Sequence, residues 1–137
     1  MNRFVTPLAA LALFVASVGQ AMAASLVVTV KNVHSDTGAI YVSLYSGDST
    51  FMRPNLATVT QKVAATQGEV KVTFKNLRVG RYAVVSFHDE NDNGQLDVTT
   101  EGVGFSKEPA GEPKFMHSAF IFDGSRDMKL DFSLKYP

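Results

Sequence analysis

Three observations predict an all-β protein, a single antiparallel β-sandwich of about seven strands with one long loop. Apolar and polar residues alternate with a period of two in most segments after residue 25, the pattern of strands with one buried face. Clusters of Gly, Asp, Asn and Ser separate these segments, as they do between strands. The chain has 137 residues, of which 45% are hydrophobic, enough for one folded domain and too many for a disordered chain.

The first 23 residues are predicted to be a secretory signal peptide. Met1–Arg3 is short and positive, Phe4–Gly19 is mostly apolar, and Ala21-Met22-Ala23 fits the small-x-small rule for cleavage. A transmembrane anchor is the weaker alternative, because an uninterrupted span needs about 20 apolar residues. We therefore expect cleavage near Ala23, a periplasmic or secreted protein, a β-sandwich domain over residues 24–137, and no membrane span after cleavage.

The charge balance and the absence of cysteine exclude several classes of function. Thirteen Lys and Arg residues balance thirteen Asp and Glu residues, so the chain lacks the basic surface expected of a nucleic-acid-binding protein. The absence of Cys excludes disulfides, thiolate metal sites and a cysteine nucleophile. No nucleic-acid partner is expected, and stability has to come from the core or from a bound ion.

Seven segments carry the strand pattern. In chain order they are residues 26–33, 40–45, 58–65, 70–75, 82–87, 119–122 and 128–135. The segment 82–87 is apolar on both faces apart from Ser86 and predicts a central strand. Turn residues at 34–38 and at Asp123-Gly124 predict hairpins between the flanking strands. Residues 49–53, before Pro54, predict one helical turn.

Residues 89–118 do not fit the strand pattern. A segment of this length without regular structure is unusual in a compact domain and is most often functional or disordered. Its first part reads Asp89-Glu90-Asn91-Asp92-Asn93-Gly94-Gln95-Leu96-Asp97, with oxygen side chains at positions 1, 3, 5 and 9 and a glycine at position 6. Glycine there allows the sharp turn that folds a calcium loop around one centre, which must supply about six to eight oxygen ligands.

Calcium is the predicted cofactor of this loop, with an affinity on the order of 10⁻⁴ to 10⁻³ M. The expected metal ligands are the side chains of Asp89, Asn91, Asn93 and Asp97, the carbonyl oxygen of Gln95, and Glu101 or water as the last ligand. The charge pattern agrees, because no Lys or Arg between Arg81 and Lys107 neutralises the acidic residues. Magnesium fits less well, since it demands stricter octahedral geometry and more water.

A plain turn is the alternative to a calcium site. The helix-loop-helix calcium motif has a bidentate Glu at position 12, where this sequence has Thr100, and Glu101 follows one residue later. The flanking segments are also not helical, so the loop is not an EF-hand. A solvated turn rich in Asn, Asp and Gly forms without any metal.

Two motifs resemble those of known sandwiches. The run Phe74-x-x-Leu77-x-x-Gly80-x-Tyr82-x-Val84 resembles the strand-turn-strand pattern of transthyretin-like and Cna-B-like domains, in which Leu77 would fill the core and Gly80 would make the turn. The Asp-x-Asn-x-Asn-Gly-x-x-Asp run resembles the calcium loops of adhesin B repeats, where the Glu stands at position 12. These resemblances imply a transthyretin/Cna-B-like (Ig-like) sandwich with a calcium-type loop.

A more specific resemblance is to DUF2141, a bacterial family of small exported proteins of unknown function. The residues that carry it are Tyr82-Ala83-Val84, His88-Asp89-x-Asn91-x-Asn93-Gly94-x-Leu96-Asp97 and Gly102-x-Gly104-Phe105-Ser106. The resemblance covers essentially all of the mature chain. It implies an exported sandwich and carries no established activity.

His88 and the aromatic residues of the long loop allow competing hypotheses. His88, next to Asp89, is either the end of a buried strand hydrogen-bonded to loop backbone, which we favour, or a base or metal ligand. Phe105, Phe115 and Met116 either pack into the core, which we favour, or form an exposed patch. No Gly-x-Ser-x-Gly nucleophile motif is present, and no catalytic residue is assigned.

The sequence therefore predicts an exported, non-enzymatic binding or structural module. In this hypothesis a calcium-ordered loop at 89–101 presents residues 102–118 to a protein or carbohydrate partner. The alternative is a small periplasmic metal-dependent enzyme, or a carbohydrate- or ligand-binding protein, that uses His88 and the 102–118 loop.

Overall fold

The computed structural model describes residues 23–137. Nearly all of the predicted signal peptide lies outside the described residues, so the signal peptide stays a prediction. The described chain is all-β, as predicted, with one more strand than expected. The strands are β1 (Leu26–Val33), β2 (Ala39–Tyr45), β3 (Val59–Ala64), β4 (Gly68–Phe74), β5 (Gly80–Asp89), β6 (Val103–Phe105), β7 (Phe120–Phe122) and β8 (Met128–Ser133). A 3-10 turn spans Pro54–Leu56, and the short helix α1 spans Phe115–Ser118.

The strands form two sheets that share one core. The first sheet has the order β4-β1-β8, and the second has the order β3-β2-β5-β6, with β7 also paired to β5. The pairs are antiparallel apart from β1 with β8, which run parallel. The last strand of the chain thus completes the sheet that the first strand begins, a long-range pairing that a period of two does not predict.

Both predicted hairpins are wrong. β1 and β2 lie in different sheets, so residues 34–38 join the two sheets. β7 pairs with β5 whereas β8 pairs with β1, so Asp123-Gly124 also connects strands that are not paired. The physical reason is that turn residues specify a change of chain direction and leave open which strand the next segment pairs with.

Two connecting segments also differ from their predictions. Residues 47–53 form successive hydrogen-bonded turns, and the regular 3-10 turn begins at Pro54 instead of ending before it, because proline suits the first position of a helical turn. The long loop contains β6 and α1, so its second half is partly regular. Within residues 23–137 no helix has the length and apolar character needed to cross a membrane.

The main core lies between the two sheets. Alternate residues of β1 and β4 face it, as the sequence predicts from their alternation. Its largest fully buried side chains include Phe74, Phe122, Leu26, Ile40 and Leu44. Leu77 and Tyr136 pack against its edge, so the core-filling role that the sandwich resemblance implies for Leu77 agrees with its position.

A second apolar cluster covers the outer face of the second sheet. It joins strand residues to residues of the connections, namely Tyr45, Ala83, Val85 and Phe105 with Phe51, Phe115 and Ala119. As a result β5 is buried on both faces, which confirms the prediction of a central strand. The end of β5 therefore delivers His88 and Asp89 into a fully buried position.

Candidate functional site

Asp89 and Glu101 are brought together by the pairing of β5 with β6. Phe87 pairs with Val103, and the His88 backbone N–H then donates to the Gly102 carbonyl oxygen at 2.9 Å. This hydrogen bond continues the ladder by one step to His88 and Gly102, and Asp89 and Glu101 are the next residues along the two segments. In the sequence these two residues are the ends of one loop, and the pairing of β5 with β6 brings the two ends of that loop together.

Both carboxylates are buried without a cation. Asp89 is 0% exposed and Glu101 is 2% exposed, and within residues 23–137 neither forms an ion pair with Lys, Arg or His. One oxygen of Glu101, Oε1, has no hydrogen-bond partner in this part of the chain. Burying a carboxylate is costly unless it is paired, fully hydrogen-bonded or bound to a metal. Among these four carboxylate oxygens, Glu101 Oε1 is therefore the one that lacks a partner within the described residues.

The loop folds back onto the Asp89 carboxylate. The Gly94 N–H donates to Asp89 Oδ2 at 2.8 Å and the Asn93 N–H donates to Oδ1 at 3.2 Å. The Asn91 and Asn93 side-chain oxygens accept from the N–H groups two residues further on, at 3.2 and 2.9 Å. Gly94 has a φ of +76°, so the turn at position 6 uses the backbone freedom expected of glycine.

Glu101 holds the other end of the loop. Its Oε2 accepts from the Asp97 N–H at 2.8 Å, while the Glu101 N–H donates to the Asp97 carbonyl oxygen at 2.8 Å. The Asp97 side chain accepts from the Thr99 hydroxyl and N–H, at 2.6 and 2.9 Å. These hydrogen bonds from Thr99 stabilise the ionised carboxylate of Asp97 and so lower its pKa below the usual value.

The remaining predicted ligands are less closely gathered. Gln95 is exposed, and within the described residues no three His, Cys, Asp or Glu side chains form a group that could hold a metal. Asp92, at position 4, points outwards and pairs with Lys62 at 3.2 Å. A bound ion would therefore draw on two buried carboxylates together with amide and carbonyl oxygens of the loop, which is a donor set that suits calcium.

His88 is a buried structural residue, as the favoured interpretation predicts. Its Nε2 lies 2.6 Å from the Thr37 carbonyl oxygen, which can only accept, so Nε2 carries the proton. Its Nδ1 then accepts from the Tyr136 hydroxyl at 2.8 Å, and that hydroxyl accepts from the His34 N–H at 3.1 Å. Burial raises the pKa of Tyr136. Both nitrogens of His88 are thus occupied by the chain itself.

The glycines after the loop make room for the C-terminal segment. A β-carbon on Gly102 would lie 2.6 Å from the Tyr136 ring, and one on Gly104 would lie 2.8 Å from the Phe132 ring. Ser106, which follows them, accepts from the buried Val84 N–H at 2.9 Å and donates to the Ser118 carbonyl oxygen. The motif Gly102-x-Gly104-Phe105-Ser106 is therefore explained by packing and backbone satisfaction.

Segment 102–118 divides into buried and exposed residues. Phe105 and Phe115 are buried in the second cluster, which confirms the favoured prediction of core packing. For Met116 the favoured prediction is wrong: its side chain is 55% exposed, and its sulfur lies 3.7 Å from Nη1 of Arg81. Met116 is thus the large apolar residue of segment 102–118 that faces solvent.

Tyr136 and Lys62 take part in this region and were not predicted. Tyr136 follows the last predicted strand, and Lys62 lies in the predicted strand 58–65, but neither was assigned a role at the site. The spacing of the two glycines at 102 and 104 was the available signal for an aromatic neighbour, because adjacent small residues on one strand face permit close approach of a ring.

Comparison with known protein families identifies the family to which the chain belongs. The family model described as an uncharacterized protein conserved in bacteria matches residues 28–129, which include six complete strands, β2 to β7, and the whole of the 89–101 loop. No curated protein and no solved structure matches the chain. The resemblance seen in the sequence is therefore confirmed, and the chain belongs to DUF2141, a bacterial family of uncharacterized proteins.

Proposed function

We propose that the protein is an exported, periplasmic β-sandwich that acts as a binding and structural module and binds calcium in the 89–101 loop. The observation that carries the proposal is the burial of Asp89 and Glu101, two carboxylates with no cationic partner among the described residues, together with the unpaired Oε1 of Glu101. A divalent cation removes the repulsion between them and supplies the missing partner.

The other ligands follow from the loop. Asn91, Asn93, the Gln95 carbonyl and Asp97 offer oxygens within one short segment, and the bound ion would tie that segment to the ends of β5 and β6. Because few of these ligands are charged, the affinity should be weak, on the order of 10⁻⁴ to 10⁻³ M. The proposed export is compatible with this weak affinity, since calcium is abundant enough outside the cytoplasm for such a site.

The proposed role of the ion is to hold the loop in one conformation. Glu101 is continuous with β6, and β6 leads into residues 106–118, so an ordered loop fixes the start of that segment. His88 contributes to the scaffold, because both of its ring nitrogens are hydrogen-bonded within the chain. The proposal therefore assigns no catalytic residue and no turnover.

Thermal unfolding of residues 24–137, which contain every strand of both sheets, tests the calcium site. Protein stripped with chelator is compared with protein in millimolar calcium or magnesium. Calcium at ten times its Kd should stabilise the fold by about 1.4 kcal/mol, which is several degrees in Tm for a domain of this size. No shift at any calcium concentration, or an equal shift with magnesium, would contradict the proposal.

Glu101→Gln sharpens the test because its effect should change sign. In chelator, the substitution removes a buried and incompletely paired charge, so Tm should stay equal or rise. In calcium, the variant should lose most of the ion-dependent increase. Asp48→Asn, at an exposed carboxylate outside the loop, is the matched control and should behave as the unaltered protein in both conditions.

A further inference from the structure

The two sheets leave one seam of the sandwich partly open. β8 lies at the edge of the first sheet, and β6 and β7 lie along the edge of the second. At one end the edges are joined by a backbone bridge, in which Val103 and Lys135 exchange hydrogen bonds of 3.0 and 2.9 Å. At the other end β7 has β5 as its paired strand and, within residues 23–137, no strand on its second side.

A groove of about 560 Å³ lies at this open end. Phe120 and Ile121 of β7 line it together with Met128 at the start of β8. Met116 adds a second flexible side chain. Ile121 is 63% exposed, as expected for an apolar residue that lacks its neighbour, and contiguous exposed apolar residues mark interaction surfaces.

The charged residues that line the groove are both basic. Arg81 pairs across the sheet with Ile121, and Lys107 lies at the same groove. No carboxylate is among the residues that line it, and within residues 23–137 neither cation forms an ion pair. The groove is therefore complementary to an acidic occupant with apolar side chains.

We infer that this open seam is the docking site for an extended segment of a partner protein in which apolar and acidic residues alternate. The segment adds to the free edge of β7, so that backbone hydrogen bonds provide affinity and alternate side chains provide specificity. Its apolar residues face Phe120 and Met128, and its acidic residues lie beside Arg81 and Lys107. The inference rests on the proposed role as a binding module, and it names the chemistry of the partner.

Titration with a synthetic peptide tests the inference. The probe is the heptapeptide Asp-Val-Asp-Val-Asp-Val-Asp, acetylated at its N-terminus and amidated at its C-terminus, which is added to the purified protein. One control peptide has Lys in place of Asp. A second has the same sequence with its three central peptide nitrogens methylated, so it keeps every charge and lacks those N–H groups for the edge. Only the first peptide should bind, and its binding should weaken as salt is raised.

Protein variants locate the binding surface. Removing each charge in Arg81→Gln and Lys107→Gln should weaken binding about two- to fivefold. The matched control is Lys71→Gln with Lys129→Gln, two exposed lysines on the outer face of the first sheet, and it should leave binding unchanged. Hydrogen exchange should show that the peptide protects the amides of residues 120–122.

Several results would overturn the inference. These are absence of peptide binding up to millimolar concentration, equal binding of the Lys or N-methylated peptide, equal loss of binding in the control lysine variant, or protection confined to another surface. Binding of decanoate without binding of the Asp-Val peptide would also overturn it, because the groove would then hold a small anionic amphiphile. Every titration is run in chelator and in calcium, so failure of the calcium site and failure of the seam give separate results.

Discussion

Gly38 lies so close to Asp89 that a β-carbon on residue 38 would stand 2.0 Å from the Asp89 carbonyl oxygen. Gly38 has a φ of +74°, in the left-handed region where glycine is favoured. It ends the connection between the two sheets, and Ala39 then pairs with Asp89 at the start of the β2–β5 ladder. The contact thus fixes the backbone from which the predicted calcium loop departs.

Gly38→Ala should therefore be strongly destabilising. The new methyl group meets backbone atoms that cannot move away, and the left-handed conformation adds strain. Together these should lower the free energy of unfolding by about 2 to 4 kcal/mol. Urea denaturation measures the change, with Gly47→Ala as the control because no atom lies within 4 Å of its β-carbon position. Equal stability of the two variants would show that the Gly38 contact is relaxed in solution.

Two aspartates of the same loop should respond differently to substitution. Asp89 is buried and accepts two backbone hydrogen bonds, whereas Asp92 is exposed and pairs with Lys62. Asp89→Asn should abolish the calcium-dependent rise in Tm, and Asp92→Asn should leave most of it in place. Calorimetric titration with calcium checks both variants. A larger loss of affinity in Asp92→Asn than in Asp89→Asn would place the ion elsewhere in the loop.

Ser106 should be essential for the connection that follows β6. Its hydroxyl satisfies the Val84 N–H and the Ser118 carbonyl, which are both buried. Ser106→Ala leaves both groups without this partner and should cost about 2 to 4 kcal/mol. The exposed Ser133→Ala is the control. If chemical denaturation gives the same midpoint for both, water replaces the hydroxyl at this position.

Stability should fall at alkaline pH because burial raises the pKa of Tyr45 and Tyr136. A raised pKa in the folded state favours the protonated phenol, so its contribution is fully present below the unfolded pKa of about 10. It is lost as pH rises through the higher folded value. Tyr45→Phe cannot ionise and should show a shallower loss. Denaturation midpoints measured from about pH 8 to 11 test this, and identical slopes would contradict it.

The alternation of apolar and polar residues along the sequence predicts most of the strands, but it does not predict which strands pair with each other. The alternation at Val70, Val72 and Phe74 and the apolar run in β5 identify strands, because the polarity of each side chain indicates whether its face of the sheet is buried. Pairing depends on contacts between distant segments, so the β1–β8 pair and the two sheet crossings did not follow from turn residues. The burial of Phe105 and Phe115 followed from hydrophobicity alone.

The candidate site shows the same division. Oxygen spacing and the glycine at position 94 identified the loop, because a short segment carries most of the expected ligands. The pairing of Glu101 with Asp89 arises from the β5–β6 ladder and lies beyond the loop motif. The role of Tyr136 in holding His88 required the C-terminal segment to return beside the first strand.

What the sequence by itself determined is the all-β class, the segments that form strands, the membership of DUF2141 and the loop with calcium spacing. These properties depend on residues that are near one another along the chain. Tertiary structure alone decided which strands belong to each sheet, the burial of Asp89 and Glu101, and the open seam beside β7. Each of these depends on which distant backbone edges meet, and hydrogen bonding between edges is nearly independent of side-chain identity.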